Sequence, residues 1–207
     1  LSTEVSGVIA DDCGCSPGPG SLEKVGTGTL ILSGTNTYTG ATTVNAGTLL
    51  VNGSIASSSG VAVNAGATLG GTGTVCAITE NGTGKVSPGS PTTAIGTLTC
   101  NAAATLSGTG SFDVNLDGTG PPADMLQDTT DGITYNLNGA TLNVTSIINS
   151  TNQTYTIISL SGAASVLTGS FNGLPNGSTF VAGGRTLQIN YTTAGDPKTV
   201  TLTDVTG

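Results

Sequence analysis

Histidine and tryptophan are absent from this sequence, and charged side chains make up only 8% of its 207 residues. Without histidine, the chain lacks the base that Ser–His and Cys–His catalysis requires. Only four residues are Lys or Arg, against 12 Asp or Glu, so the formal net charge is −8. Nucleic acids and anionic membrane surfaces are bound through clustered cations, and neither is expected as a partner. No apolar run approaches the about 18 residues of a membrane-spanning helix, so we expect no insertion into a membrane.

An internal repeat occupies the glycine-rich residues 26–75. The segment VNAG at 44–47 recurs at 63–66, an offset of 19 residues. A related segment at 64–74 returns at 101–111, an offset of 37, which is close to twice the first. A period near 19 is too short for a helical-pair repeat and fits one turn of a solenoid. The repeat is rich in Thr, Val, Leu, Asn and Gly, residues that favour strands and tight turns.

These features predict an all-β fold, a right-handed parallel β-helix with coils of about 19 residues and a C-terminal β cap. Leu50 aligns with Leu69 at the 19-residue offset, so both are expected to face inward. Gly-rich hairpin signals at 176–177 and 183–184 predict antiparallel strands near the end of the chain. The expected inward positions are Leu30, Leu32, Val44, Leu50, Ile55, Val61, Val63, Leu69, Val75, Ile78, Leu98, Leu106 and Phe112.

The segment GTLILSGTNTYTGATTVNAGTL at 28–49 closely resembles the autotransporter-associated β-strand repeat of bacterial surface proteins. Residues 67–75 and 86–91 resemble the usual end of such an array. The tail resembles the terminal module that follows these arrays, at 169–175, 178–180, 187–191 and 200–203. The resemblance implies a parallel β-helix, no fixed catalytic residues, and a secreted, extracellular or cell-surface location in a bacterium. It also favours a signal peptide that has been removed before Leu1.

Three parts of the chain are predicted: an extended arm and Pro/Gly/Cys hinge at 1–20, the β-helix repeat region at 21–132, and terminal coils with capping strands at 133–207. The apolar anchors of the arm are Val5, Val8 and Ile9. Pro-Gly pairs mark the hinge as a turn or linker. The arm is either a disordered terminus or a strand that pairs with a neighbouring subunit by strand addition.

The four cysteines are Cys13, Cys15, Cys76 and Cys100. An even count in an exported chain favours disulfides, with three connectivities open. The two hinge cysteines would lock the arm covalently. Cys100 is alternatively a small buried hydrophobic residue. No C-x-x-C pair is present, so a zinc site is not expected.

The most acidic segment, 117–132, offers two alternatives. It is either a solvated loop, which we favour, or a Ca²⁺ site, although its spacing matches no known calcium-binding repeat. We therefore expect no cofactor. The carboxylates concerned are Asp117, Asp124, Asp128 and Asp131.

Parallel β-helices include polysaccharide-cleaving enzymes, but the candidate residues here are poor. The sole arginine, Arg185, lies in the terminal hairpin region, and Asp117 of the carboxylate pair Asp113 and Asp117 begins a turn. We expect no enzyme.

The two ends of the predicted solenoid differ. The C-terminal end has capping strands and the N-terminal end has no evident cap, so either more repeats precede Leu1 or another subunit covers this end. The leading hypothesis is a non-enzymatic extracellular structural protein that polymerises head to tail, with copies of itself as partners, into a surface filament or layer. The alternative is an adhesin or passenger module that binds a surface polysaccharide or a cell surface.

Overall fold

The computed structural model describes residues 1–11, 18–90, 95–116, 123–147 and 153–206. These residues form strands, turns and bends but no helix. In chain order the strands are β1 Ser2–Val5, β2 Leu22–Lys24, β3 Thr29–Leu32, β4 Thr42–Val44, β5 Thr48–Val51, β6 Val61–Val63, β7 Thr68–Gly71, β8 Thr74–Val75, β9 Ile78–Glu80, β10 Lys85–Pro88, β11 Thr97–Cys100, β12 Ala104–Thr105, β13 Ser111–Leu116, β14 Met125–Asp128, β15 Thr134–Asn136, β16 Thr141–Ile147, β17 Thr154–Leu160, β18 Val166–Thr168, β19 Thr179–Ala182, β20 Arg185–Thr192 and β21 Lys198–Asp204.

The strands stack into three sheets, and successive coils contribute one strand to each sheet in turn. Sheet 1 has the order β1-β3-β5-β7-β10-β13-β16, and sheet 2 has the order β2-β4-β6-β9-β12-β15-β18. Sheet 3 begins β8-β11-β14-β17 and ends with β21-β20-β19. All pairs are parallel except the last three, β17 with β21, β21 with β20 and β20 with β19. The predicted parallel β-helix with a C-terminal β cap is confirmed.

Coil length changes along the solenoid. The first position of sheet 1 runs through Thr29, Thr48, Thr68, Lys85, Ser111 and Thr141. The steps between these register partners are 19, 20, 17, 26 and 30 residues (48−29, 68−48, 85−68, 111−85, 141−111). The predicted length of about 19 therefore describes the early coils, and later coils are longer.

Two details of the predicted repeat are wrong because the coils are unequal. Leu49, not Leu50, pairs with Leu69, and Leu50 pairs with Gly70 on the outer face. A one-residue shift in register moves a side chain to the opposite face of a strand. The third copy is also out of register, since residues 68–71 form β7 in sheet 1 whereas residues 104–105 form β12 in sheet 2. The other predicted inward residues are buried, apart from Leu30, which is half-buried and packs against the core.

One corner of the early coils consists of stacked glycines. A Cβ atom on Gly53 would overlap the carbonyl oxygen of Gly34, and one on Gly73 would overlap that of Gly53. The amide of Gly53 donates to Leu32 O at 2.9 Å, so backbone lies directly on backbone here. The corner therefore leaves no room for a side chain.

We predict that Gly53→Ala lowers the free energy of unfolding by about 1–3 kcal/mol, because the backbone must shift to admit the methyl group. Gly60→Ala is the matched control, since the nearest atom to its Cβ is Ala77 O at 3.9 Å. The control should change stability by less than about 0.5 kcal/mol. Urea unfolding of both variants measures the difference, and equal stabilities would contradict the close-contact explanation.

Candidate functional site: the two ends of the solenoid

The predicted N-terminal arm is part of the first coil. Ser2–Val5 pairs in parallel with Thr29–Leu32 of the same chain, with Val5 opposite Leu32. Ile9 donates its amide to Asn36 Oδ1 at 2.9 Å and, like Val5, packs against the core. Residue 20 is therefore not a boundary between a separate arm and the solenoid. Val8 is exposed, and the assembly role given to Val5, Val8 and Ile9 stays a prediction.

Asp11 ties the first coil to the next one. Its carboxylate accepts the amide of Gly20 at 2.7 Å, and the amide and hydroxyl of Thr39 at 2.9 and 2.7 Å. These hydrogen bonds, that of the Thr39 hydroxyl above all, hold the pKa of Asp11 below its usual range. Cys13 and Cys15 lie outside the described residues.

Cys76 and Cys100 are free, buried thiols, so the disulfide expected between them is not formed. The Cys100 thiol donates to the carbonyl oxygens of Cys76 at 3.0 Å and Ala102 at 3.1 Å. Burial raises the pKa of Cys100 to about 11. Its surroundings agree with the alternative interpretation of Cys100 as a small buried residue.

The N-terminal end of the solenoid carries an open cleft of about 540 Å³. Thr3, Val25 and Leu30 are among its lining residues, and Val25 is 63% exposed. Lys24 lies inward, in register with Val44, and is only 6% exposed. Its ammonium donates to the carbonyl oxygens of Val25, Gly26 and Ala46 at 2.9, 2.7 and 2.9 Å. Lys24 thus closes one inward column, while Leu30 stays half-buried beside the cleft.

The C-terminal end is covered by the antiparallel strands β19, β20 and β21. The residues of these strands that cover the last coil are fully buried and comprise Leu187, Ile189, Val200 and Leu202. Gly183 and Gly184 connect β19 to β20, which confirms the predicted hairpin there. Lys198 mirrors Lys24, because its buried ammonium donates to Gly162 O at 2.5 Å and Ala163 O at 3.0 Å. Arg185 forms an ion pair with Asp204.

A groove of about 480 Å³ remains between β16 and β19, next to the cap. Asn143 on its floor donates to Asp113 Oδ1 at 2.8 Å, and Lys85 Nζ lies 3.7 Å from Asp113 Oδ2. Val181 borders the groove and is 73% exposed. Asp113 therefore has a cation and an amide as partners, and its suggested catalytic partner Asp117 lies outside the described residues.

The structure does not assemble the suggested Ca²⁺ site. Asp124 accepts amides from Asn115 and Gly96, and Asp131 accepts those of Gly132 and Ala164. Asp128 is buried and accepts the amide of Thr130 at 2.7 Å. Across the described ranges, no three acidic or thiol side chains form a group that could hold a metal ion.

Exposed large apolar side chains concentrate at the two ends. In the part of the chain that the structure describes, they belong to the first coil and its corner or to the last strands and the residue after them, and they are Leu1, Val8, Val25, Val166, Val181 and Val205. Between the ends the outer surface carries polar ladders. Asn64 donates to Asn45 Oδ1 at 2.6 Å, and Asn81 donates to Asn64 Oδ1 at 2.9 Å. None of the described helices qualifies as a membrane span, because none is long and apolar enough.

Glu80 is a buried carboxylate that the sequence analysis did not identify. It lies inward beside Val63, at a position that is otherwise apolar in its column, and is 4% exposed. Oε2 accepts the amide of Ser107 at 2.7 Å, whereas Oε1 is buried and has no hydrogen-bond partner. Desolvation raises the pKa of Glu80 from 4.5 to about 7. The alternation of Ile78, Thr79 and Glu80 along β9 was the available signal.

This raised pKa predicts a pH dependence of stability. The protonated form is favoured in the folded state, so its contribution is complete below pH 4.5 and is lost as the pH rises through about 7. Glu80→Gln keeps an uncharged side chain at every pH. Wild type should lose up to about 3 kcal/mol relative to this variant between pH 4 and 8. Urea unfolding across this range measures it, and parallel curves would contradict it.

The comparisons with known proteins concern the early coils. The family model of the passenger-associated-transport-repeat matches residues 22–51, which hold β2 to β5. The chain is also similar to the adhesin BmaC autotransporter of Brucella suis biovar 1 (strain 1330), with 58% identity over 41 residues. That match covers 20% of this chain and 1% of the adhesin. Both findings point to a secreted or cell-surface bacterial protein. Through this repeat, the chain belongs to the autotransporter-associated repeat family.

Proposed function

We propose that the chain is a non-enzymatic extracellular structural module that joins copies of itself head to tail into a filament or layer on a bacterial surface. The observation that carries this proposal is the confinement of exposed large apolar side chains to the two ends of the described solenoid. Apolar side chains that remain exposed after folding are favourable contact points for a partner, because their burial removes them from water.

The two ends are different surfaces, which determines the type of assembly. One end presents the cleft with Val25, and the other presents the cap strand with Val181. A contact between unlike surfaces leaves one of each free on every pair. Such contacts propagate into filaments unless the rotation between copies closes a ring.

The absence of catalytic activity is part of the proposal. Asp113 is engaged by Lys85 and Asn143, and Arg185 is engaged by Asp204. These groups stabilise the fold, which supports a structural role for the scarce charges of this chain. The similar adhesin supports the same class of protein.

A second candidate is an adhesin module that binds a surface polysaccharide or a cell surface. The relative named an adhesin favours it, as does the row of outward hydroxyl groups formed by Thr29, Thr48 and Thr68. Such a row would offer regularly spaced hydrogen-bond donors and acceptors about 4.8 Å apart. An adhesin of this kind would act as a monomer in solution.

Sedimentation velocity over a range of concentrations, with negative-stain microscopy, tests the assembly. We expect wild type to form rods that lengthen with concentration, and we expect Val25→Asp and Val181→Asp each to weaken association about tenfold or more. Thr79→Asp adds the same charge at an exposed site in the middle of the solenoid and is the matched control. It should assemble as wild type does.

Wild type that stays monomeric at every concentration would overturn the filament proposal. Binding of that monomer to purified bacterial polysaccharide, measured by calorimetry, would then favour the adhesin candidate. Equal losses of assembly in all three variants would indicate that general repulsion, and not the ends, sets association.

A further inference from the structure

We propose that strand β1 of one copy adds in parallel to the free edge of β16 of the next copy, in the groove between β16 and β19. This inference rests on the proposed head-to-tail assembly and names its contact. Sheet 1 would then continue from one copy into the other without a change of strand direction.

β1 and β16 are the two outermost strands of sheet 1. Each has one paired edge in the described part of the chain, β1 with β3 and β16 with β13. Thr29 donates to Leu1 O at 2.9 Å, so Leu1, Thr3 and Val5 direct their backbone groups towards β3. Alternation then directs those of Ser2 and Glu4 outward.

The same reasoning orients the backbone of β16. Thr141 donates to Gly110 O at 2.9 Å, so Thr141 and Asn143 face β13. Leu142 and Val144 therefore present their amide and carbonyl groups to the groove, which they also line. Edges of this kind are templates for another strand.

Only one parity of register satisfies both the hydrogen bonds and the side chains. A residue that points its backbone at a parallel partner lies opposite one that points away. Leu142 would then lie opposite Thr3 of the second copy, and Val144 opposite Val5. The side chains of these four residues all belong to the inward face of sheet 1, as shown by the pairing of Thr3 with Leu30 and Leu142 with Phe112. A shift by one residue would break both agreements.

The polar groups of the outer face also fit this register. Glu4 of the second copy would lie beside Asn143, which already donates one amide hydrogen to Asp113. A side-chain amide has two N–H donors, so the second remains for the Glu4 carboxylate. Lys85, 3.7 Å from Asp113, offsets the negative charge in this column.

The shapes of the two ends agree with this arrangement. β1 forms one wall of the N-terminal cleft through Leu1 and Thr3. When β1 occupies the groove, the exposed Val181 of β19 faces that wall, so Val181 and Val25 are brought to the same interface. The contact thus uses both ends at once.

Paired proline variants test the contact. Glu4→Pro and Val144→Pro each remove one outward amide, a change that edge strands tolerate best. Each variant alone should be monomeric, because one of its two ends is blocked. An equimolar mixture should form dimers and nothing longer, because one variant keeps a free β16 and the other keeps a free β1. Glu4→Ala and Val144→Ala keep the amides and are the matched controls, which should still form rods.

The outcomes separate this inference from the proposed function. If wild type forms rods and both proline variants do so too, the β1–β16 contact is wrong and the assembly stands. If wild type is monomeric, the assembly itself fails. Circular dichroism and thermal melting establish that each variant is folded. Should Val144→Pro unfold, Asn143→Asp keeps the backbone and should weaken association about tenfold, since it replaces the donor to Glu4 with a third carboxylate.

Discussion

Backbone hydrogen bonding between neighbouring coils is the interaction on which the rest of this structure depends. Each interior strand has its partners in the coils before and after it, so every residue type at a corner or column must permit that stacking. Gly53 has no side chain because the carbonyl of Gly34 occupies the space. The amide ladder from Asn45 to Asn81 repeats the coil spacing in its side chains. Uncharged polar residues suit such stacks, since like charges at this spacing would repel.

The same constraint explains how the few cations are used. Lys24 and Lys198 lie near opposite ends, where their buried ammonium groups satisfy backbone carbonyl oxygens. Lys85 and Arg185 pair with carboxylates of neighbouring strands. The four cations of the sequence therefore all have partners in the fold. Their structural use fits a protein that acts through its surfaces and not through acid–base chemistry.

The fold class was predictable because a short period and strand-forming residues leave few architectures, and the cap was predictable from its hairpin glycines. Coil length was not, since later coils grow from 19 to 30 residues without a matching sequence signal. This growth misplaced Leu50. The first strand was missed because one short polar segment, STEV, pairs with β3 only through its backbone and Val5. Of the candidate ends, the sequence indicated their asymmetry but could not place the groove between β16 and β19.

Hydrogen–deuterium exchange at low and high protein concentration tests the central claim most directly, which is that unsatisfied coil edges at the two ends drive association. Peptides covering residues 1–9 and 140–147 should exchange quickly in dilute samples and slow markedly, about tenfold or more, in concentrated ones. Peptides from the middle coils, such as 44–66, should exchange at the same slow rate in both. Protection that rises equally along the whole solenoid, or not at all, would contradict the account.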